Sequence, residues 1–141
     1  MAAPTLWYCN GLKKALDAVV ALGTPKLMLL GDDYVLEQDA HDFVNDVSAY
    51  EAAGSGYTAG GITLASVTVS VDAASNTVTL DAADVTGLSI SACYAVVFVD
   101  TGSSATSPVL TVTDLSAGAG ADVAMTGIVW AASGIAAITA A

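Results

Sequence analysis

His41 is the one histidine of the chain, and it stands among Asp32, Asp33, Glu37, Asp39, Asp42 and Asp46. Two chemistries are open to such a set. Closely spaced carboxylates can hold a hard cation such as Ca²⁺, and an imidazole beside carboxylates can move protons. The spacing argues against both. The D-x-D-x-D-G order of a calcium loop is missing, and several of these acids fall where helix caps and first turns are expected. The segment reads as a solvated acidic face, with a cation site as the alternative. His41 has no identifiable nucleophile or substrate pocket beside it, and no G-x-S-x-G elbow occurs. With three Lys and no Arg, an anionic transition state would have to lean on backbone N–H groups or a metal. No catalytic residue, cofactor or metal is assigned, and an enzyme is not expected.

The run Gly54-Ser55-Gly56-Tyr57-Thr58-Ala59 formally fits a dinucleotide fingerprint. That motif must follow a strand and open a helix, whereas here a helix is expected before it and a strand after it. Four glycines between 54 and 61 instead indicate a loop with unusual dihedrals. Trp7 and Tyr8 precede the first expected helix, where an exposed aromatic pair can anchor on a partner; packing on their own domain is the other reading. Trp130 lies in an alternating stretch and reads as core. Cys9 and Cys93 are too few for a disulfide framework or a metal cluster. They are read as two buried thiols, with a single bridge as the alternative.

These residues need elements to hold them. Asn10 can cap a helix over Gly11–Leu22, in which Leu12, Leu16, Val19 and Val20 share a face; Gly23 and Pro25 would end it. Lys26–Leu30 reads as a short apolar strand. Asp39 looks like the N-cap of a second short helix that lines up Ala40, Phe43, Val44 and Val47. From Ile62 onward, alternation takes over. Ser66–Asp72 and Thr77–Asp81, joined by Ala73–Asn76, form a predicted hairpin. Leu88–Ser91 alternates again, and Tyr94–Val99 is continuously apolar, as in a strand buried on both faces. Val109–Thr113, Val123–Trp130 and Ile135–Thr139 complete the set. The expected class is mainly β: an antiparallel β-sandwich over residues 61–141, with an N-terminal α/β appendage and Gly-rich loop over residues 1–60 packed on it as one structural unit.

Composition narrows the function. The formal net charge is −11, and nothing basic follows Lys26. Nucleic-acid binding needs cations to displace counterions from phosphate, so it is not expected, and adsorption to an anionic membrane fails for the same reason. The 55% hydrophobic content argues against disorder, but much of it is alanine, so a thin core helped by association with other chains is expected. Met1–Tyr8 has no positive n-region. The uncharged run Val123–Ala141 is long enough to suggest a membrane span, but its internal Thr, Ser and Gly fit two short strands better.

Taken together, several stretches resemble a family. They are Lys26–Leu30, Tyr34 with Asp39–Phe43 and Asp46-Val47, and Tyr50-Glu51 running into Gly54-x-Gly56-Tyr57-Thr58-Ala59-Gly60-Gly61-x-x-Leu64. Later come Asp81-Ala82-x-Asp84-Val85, Tyr94–Val97, Ser107-Pro108, Ile128-x-Trp130 and Gly134-Ile135. The family is the small head decoration (cement) and minor capsid proteins of tailed bacteriophages. Its pattern often has Trp where Gly87 stands and Arg where Cys93 stands. The resemblance implies a non-catalytic particle component, and the expected placement is the outer surface of the phage head, bound to the major capsid protein and to itself as a homotrimer. Trp7, Tyr8, Asp39, His41, Phe43, Tyr50, Tyr57, Gly60 and Gly61 are the expected contacts with the capsid or between subunits. The alternative is a tail- or fibre-associated sandwich that binds host glycan or protein. Because the chain is so acidic, salt is expected to strengthen assembly or leave it unchanged.

Overall fold

The computed structural model describes residues 3–140. Its elements, in chain order, are α1 (Cys9–Val20), β1 (Thr24–Leu30), two 3-10 turns (Val44–Asp46 and Ser48–Tyr50), β2 (Ile62–Thr63), β3 (Thr68–Asp72), β4 (Thr77–Asp81), β5 (Ile90–Ala92), β6 (Tyr94–Asp100), β7 (Val109–Asp114), β8 (Val123–Met125) and β9 (Ala136–Thr139). Among the described residues the fold is mainly β, with antiparallel sheets in a sandwich-like arrangement and one helix. The sheets have the orders β2-β1-β6-β7, β3-β4-β9 and β5-β8.

β6 is the hub. Ala95 to Val99 are all buried, as the unbroken apolar run predicts, because a core lies on each face of the largest sheet. Leu27, Leu29, Ala95 and Val97 face one core, closed by Leu64, Val85, Leu88, Ile90, Ala92 and Ile128. Met28, Leu30, Val96 and Phe98 face the other, closed by Tyr34, Val44 and Val47. The period-two alternation of strands sends neighbouring side chains to opposite cores. β1 pairs with β6 along its whole length, from Thr24 opposite Asp100 to Leu30 opposite Tyr94. The N-terminal strand is thus a central member of the largest sheet and is not packed against a separate sandwich.

The hairpin of β3 and β4 forms in the expected register, with Val69 opposite Leu80 and Val71 opposite Val78. β9 adds to its other side, with Ile138 opposite Val78. α1 lies against β3 and β4. Its apolar stripe of Leu12, Leu16, Val19 and Val20 is half-buried, and no helix residue is fully buried.

Several expectations are corrected. α1 begins before Asn10: Tyr8 takes the cap position in extended conformation, and its carbonyl accepts from Leu12 N at 3.1 Å. Packing of the apolar stripe sets the helix register here, overriding a cap preference worth only about 1 kcal/mol. The second helix is absent; residues 38–40 make a turn, followed by the two 3-10 turns. The amides that would bond back to the carbonyls of Ala40 and His41 in such a helix are already engaged, Val44 N with Ser107 O and Asn45 N with Ser104 O. The Asp46 carboxylate folds back onto the amides of Asp42 and Phe43, at 3.0 and 3.2 Å. The stretch Val123–Trp130 is a strand only to Met125, then a single bridge between Ile128 and Val85. Trp130 is half-buried against the first core, with its indole N–H on Ala83 O at 3.2 Å. Both cysteines are free; Cys93 is buried and Cys9 only partly so. Among the described residues, no helix is long and apolar enough to cross a membrane.

Candidate functional site

The expected contact residues fall in three places. The first is the N-terminal arm. Trp7 is 71% exposed and Tyr8 88%, and Leu6 is also exposed. The Tyr8 carbonyl accepts the first bond of α1, from Leu12 N. Leu6, Trp7, Tyr8 and Cys9 border a shallow recess of about 300 Å³ together with Asn76 and Ala140. Asn76 is tied to Ala140, whose amide donates to its carbonyl at 2.8 Å. This end of the small sheet therefore meets the arm. Ile138 shares its face with the buried Val78 opposite it, yet it remains 48% exposed. Leu6, Trp7, Tyr8 and the recess beside them carry no charged side chain.

The second place is an aromatic cluster over the largest sheet. Tyr34 is buried, and its hydroxyl pairs with His41 Nδ1 at 2.8 Å. The Tyr34 ring lies 5.5 Å from His41, 5.6 Å from Tyr50 and 5.3 Å, edge-on, from Tyr94. Burial pushes the Tyr34 hydroxyl above its ordinary pKa, and the nearby carboxylates of Glu37 and Asp46 add to this. Tyr34 therefore stays a neutral donor or acceptor for the imidazole near neutral pH. Phe43 is half-buried and bridges to Pro108. Asp39 is exposed in the turn before it. Between this cluster and β7 runs a groove of about 300 Å³, lined by Tyr34, Leu36, Glu37, His41 and Val47 on one side and Val96, Val109 and Val112 on the other. Among the described residues, no three His, Cys, Asp or Glu side chains converge as a metal-binding group.

The third place is the Gly-rich loop, and its chemistry is internal. Glu51 Oε1 accepts from the Tyr57 hydroxyl and from Gly60 N, both at 2.7 Å. The Tyr57 hydroxyl oxygen accepts in turn from Leu29 N at 3.2 Å. Burial first, then the Glu51 carboxylate, drives the Tyr57 pKa far above the ordinary phenol value, so this donor is permanent. Gly61 is buried, and a Cβ there would stand 3.0 Å from the Phe98 ring and 3.1 Å from Leu27 O. Tyr57 and Gly61 serve the closure of the chain's own sheet, and only Gly60 of this group is exposed.

Sequence reasoning did not find the Tyr34–His41 bond, the Glu51 clasp, or the groove against β7. A signal existed only for the first: a Tyr and a His bracketing a turn-rich acidic segment. Comparison of the chain with protein-family models, with curated proteins and with solved structures finds no match.

Proposed function

We propose that this protein is a structural component of a tailed-phage head. It binds the outer surface of the assembled shell, contacts the major capsid protein, associates as a trimer, and performs no catalysis. One observation supports docking above all: the uncharged aromatic arm of Leu6, Trp7 and Tyr8, which the chain leaves open to solvent. Aromatic side chains concentrate binding energy when a partner desolvates them. An uncharged patch also lets a chain of net charge −11 approach a surface without bringing its acids into the interface. The resemblance in sequence supplies the identity of that surface. Repetition over many equivalent sites lets a modest contact reinforce a whole lattice.

The test is co-sedimentation of the purified protein with expanded, DNA-free phage heads lacking tails. Saturable binding in fixed proportion to the major capsid subunits is expected. Trp7→Ala with Tyr8→Ala is expected to reduce occupancy at least about tenfold, as loss of an aromatic anchor does. Unchanged occupancy would sink the anchor. No binding to heads, with recovery on isolated tails, would replace the proposal with a tail or fibre role.

A further inference from the structure

The largest sheet has an open edge where β7 runs beside the Tyr34–His41 groove. Leu115 N donates to Cys93 O at 2.8 Å, and the register sets Ala95 opposite Thr113 and Val97 opposite Thr111. Alternate residues of an antiparallel ladder bond to the neighbouring strand. Thr111 and Thr113 therefore turn their amides to β6, and Val112 and Asp114 turn theirs outward. At the start of the strand the outer side is occupied, since Val109 N donates to Asp42 O at 3.0 Å. Beyond that point no strand among the described residues pairs with this edge.

The groove lies next to those outward amides. Val112 shares a face with Val96 opposite it, so the two form a continuous apolar floor that Tyr34 and His41 overhang. Thr111 also borders the groove, while its register opposite Val97 turns its side chain, with a buried and unpartnered hydroxyl, toward the other face. Apart from His41, the ionic groups around the groove are all acids. Glu37 lines it, Asp42 and Asp46 stand where residues 42–43 meet β7, and Asp114 stands at the other end of the strand. No lysine offsets them: Lys13 is paired with Asp17, Lys26 with Asp100, and Lys14 lies on α1, against the small sheet.

We propose that this edge and groove accept an extended segment of a partner polypeptide as an added strand on β7. One aliphatic side chain of the segment enters the groove, and flanking Lys or Arg side chains meet the acids. The outward amides supply main-chain bonds, the groove selects the inward-facing side chain, and the carboxylates select the flanks. This rests on the edge, the cavity and the charge, and it stands independently of what the apolar N-terminal arm binds.

The experiment uses the full chain and three synthetic peptides. They are acetyl-Lys-Val-Leu-Val-Lys-amide, the same peptide with Glu in place of Lys, and the Lys peptide with Pro in place of Leu. NMR titration with amide exchange reads both affinity and place. The Lys peptide is expected to saturate and to slow exchange at Val112 and Asp114. The Glu and Pro peptides are expected to bind at least about tenfold more weakly. Glu37→Lys with Asp42→Lys changes two exposed side chains and is expected to reverse the preference between Lys and Glu peptides. No saturable binding of the Lys peptide, equal affinity for all three, or binding without protection at Val112 and Asp114 would each overturn the proposal. Because no phage heads enter this experiment, its failure leaves the head-binding reading untouched, and the converse holds.

Discussion

Gly60 and Gly61 sit side by side with φ of +90° and +106°, yet they do different work. A Cβ at Gly60 would meet nothing within 4 Å, whereas one at Gly61 would press on the Phe98 ring and Leu27 O. Gly60→Ala is therefore expected to cost about 1–3 kcal/mol, from backbone conformation alone. Gly61→Ala carries backbone strain of about 1–3 kcal/mol and must also move a buried aromatic ring. Urea denaturation of the two variants measures the difference, and equal losses would mean that the ring contact contributes nothing. That the glycine run was a turn with left-handed residues could be read from composition. Which glycine faces the core could not, because Phe98 arrives from a strand 37 residues away. The same distance hid the clasp: Glu51 looked like one more acid until the loop brought Tyr57 and Gly60 onto one of its oxygens.

Elements differ in how firmly the two cores hold them. β6 has buried side chains on both faces, and β1 pairs with it over seven residues. α1 has an apolar stripe that is only half covered, no side-chain cap, and no acid in its first turn. Helices with so little burial open well below the global unfolding free energy. Native-state hydrogen exchange is therefore expected to show α1 amides exchanging through local opening, at least about a hundredfold faster than the inner amides of β6. Matched protection in the two elements would show that α1 unfolds only with the whole chain. The strands were the legible part of the sequence, since Val-polar alternation and the apolar run at Tyr94–Val99 are local signals. The position of β1 was not legible. A five-residue apolar strand reads the same at the periphery as at the centre, and only its pairing with β6 decides. The second helix was misread for a related reason. Val44 and Val47 have helical spacing, but the carbonyls of Ser104 and Ser107 take up the amides such a helix would use.

At the scale of the molecule, fourteen acids and three lysines set two opposing responses to pH. Asp46, Asp72, Asp100 and Asp114 are all held below the ordinary value of 3.8. The leading causes are the Asp42 amide for Asp46, the Ser75 hydroxyl for Asp72, Lys26 for Asp100 and the Ser116 hydroxyl for Asp114. A carboxylate with a depressed folded-state pKa stabilises fully above its unfolded value. That contribution is lost as pH falls through the folded value. These four therefore destabilise the fold only below 3.8. The net charge of −11 also repels itself, and it shrinks as the pH falls toward the sequence pI of about 4.1. The thermal midpoint is accordingly expected to peak near about pH 4–5 rather than at 7, and to drop steeply below that range. At pH 7, about 0.5 M salt is expected to raise the midpoint by screening the same repulsion. Salt also separates the two docking surfaces. Association through the uncharged arm should hold or strengthen, whereas capture of a cationic strand on β7 should weaken over the same range. A midpoint that falls steadily from pH 7 to 4, or that ignores salt, would mean that the acids are too dispersed to repel. The field at the groove would then have to arise from Glu37, Asp42, Asp46 and Asp114 alone.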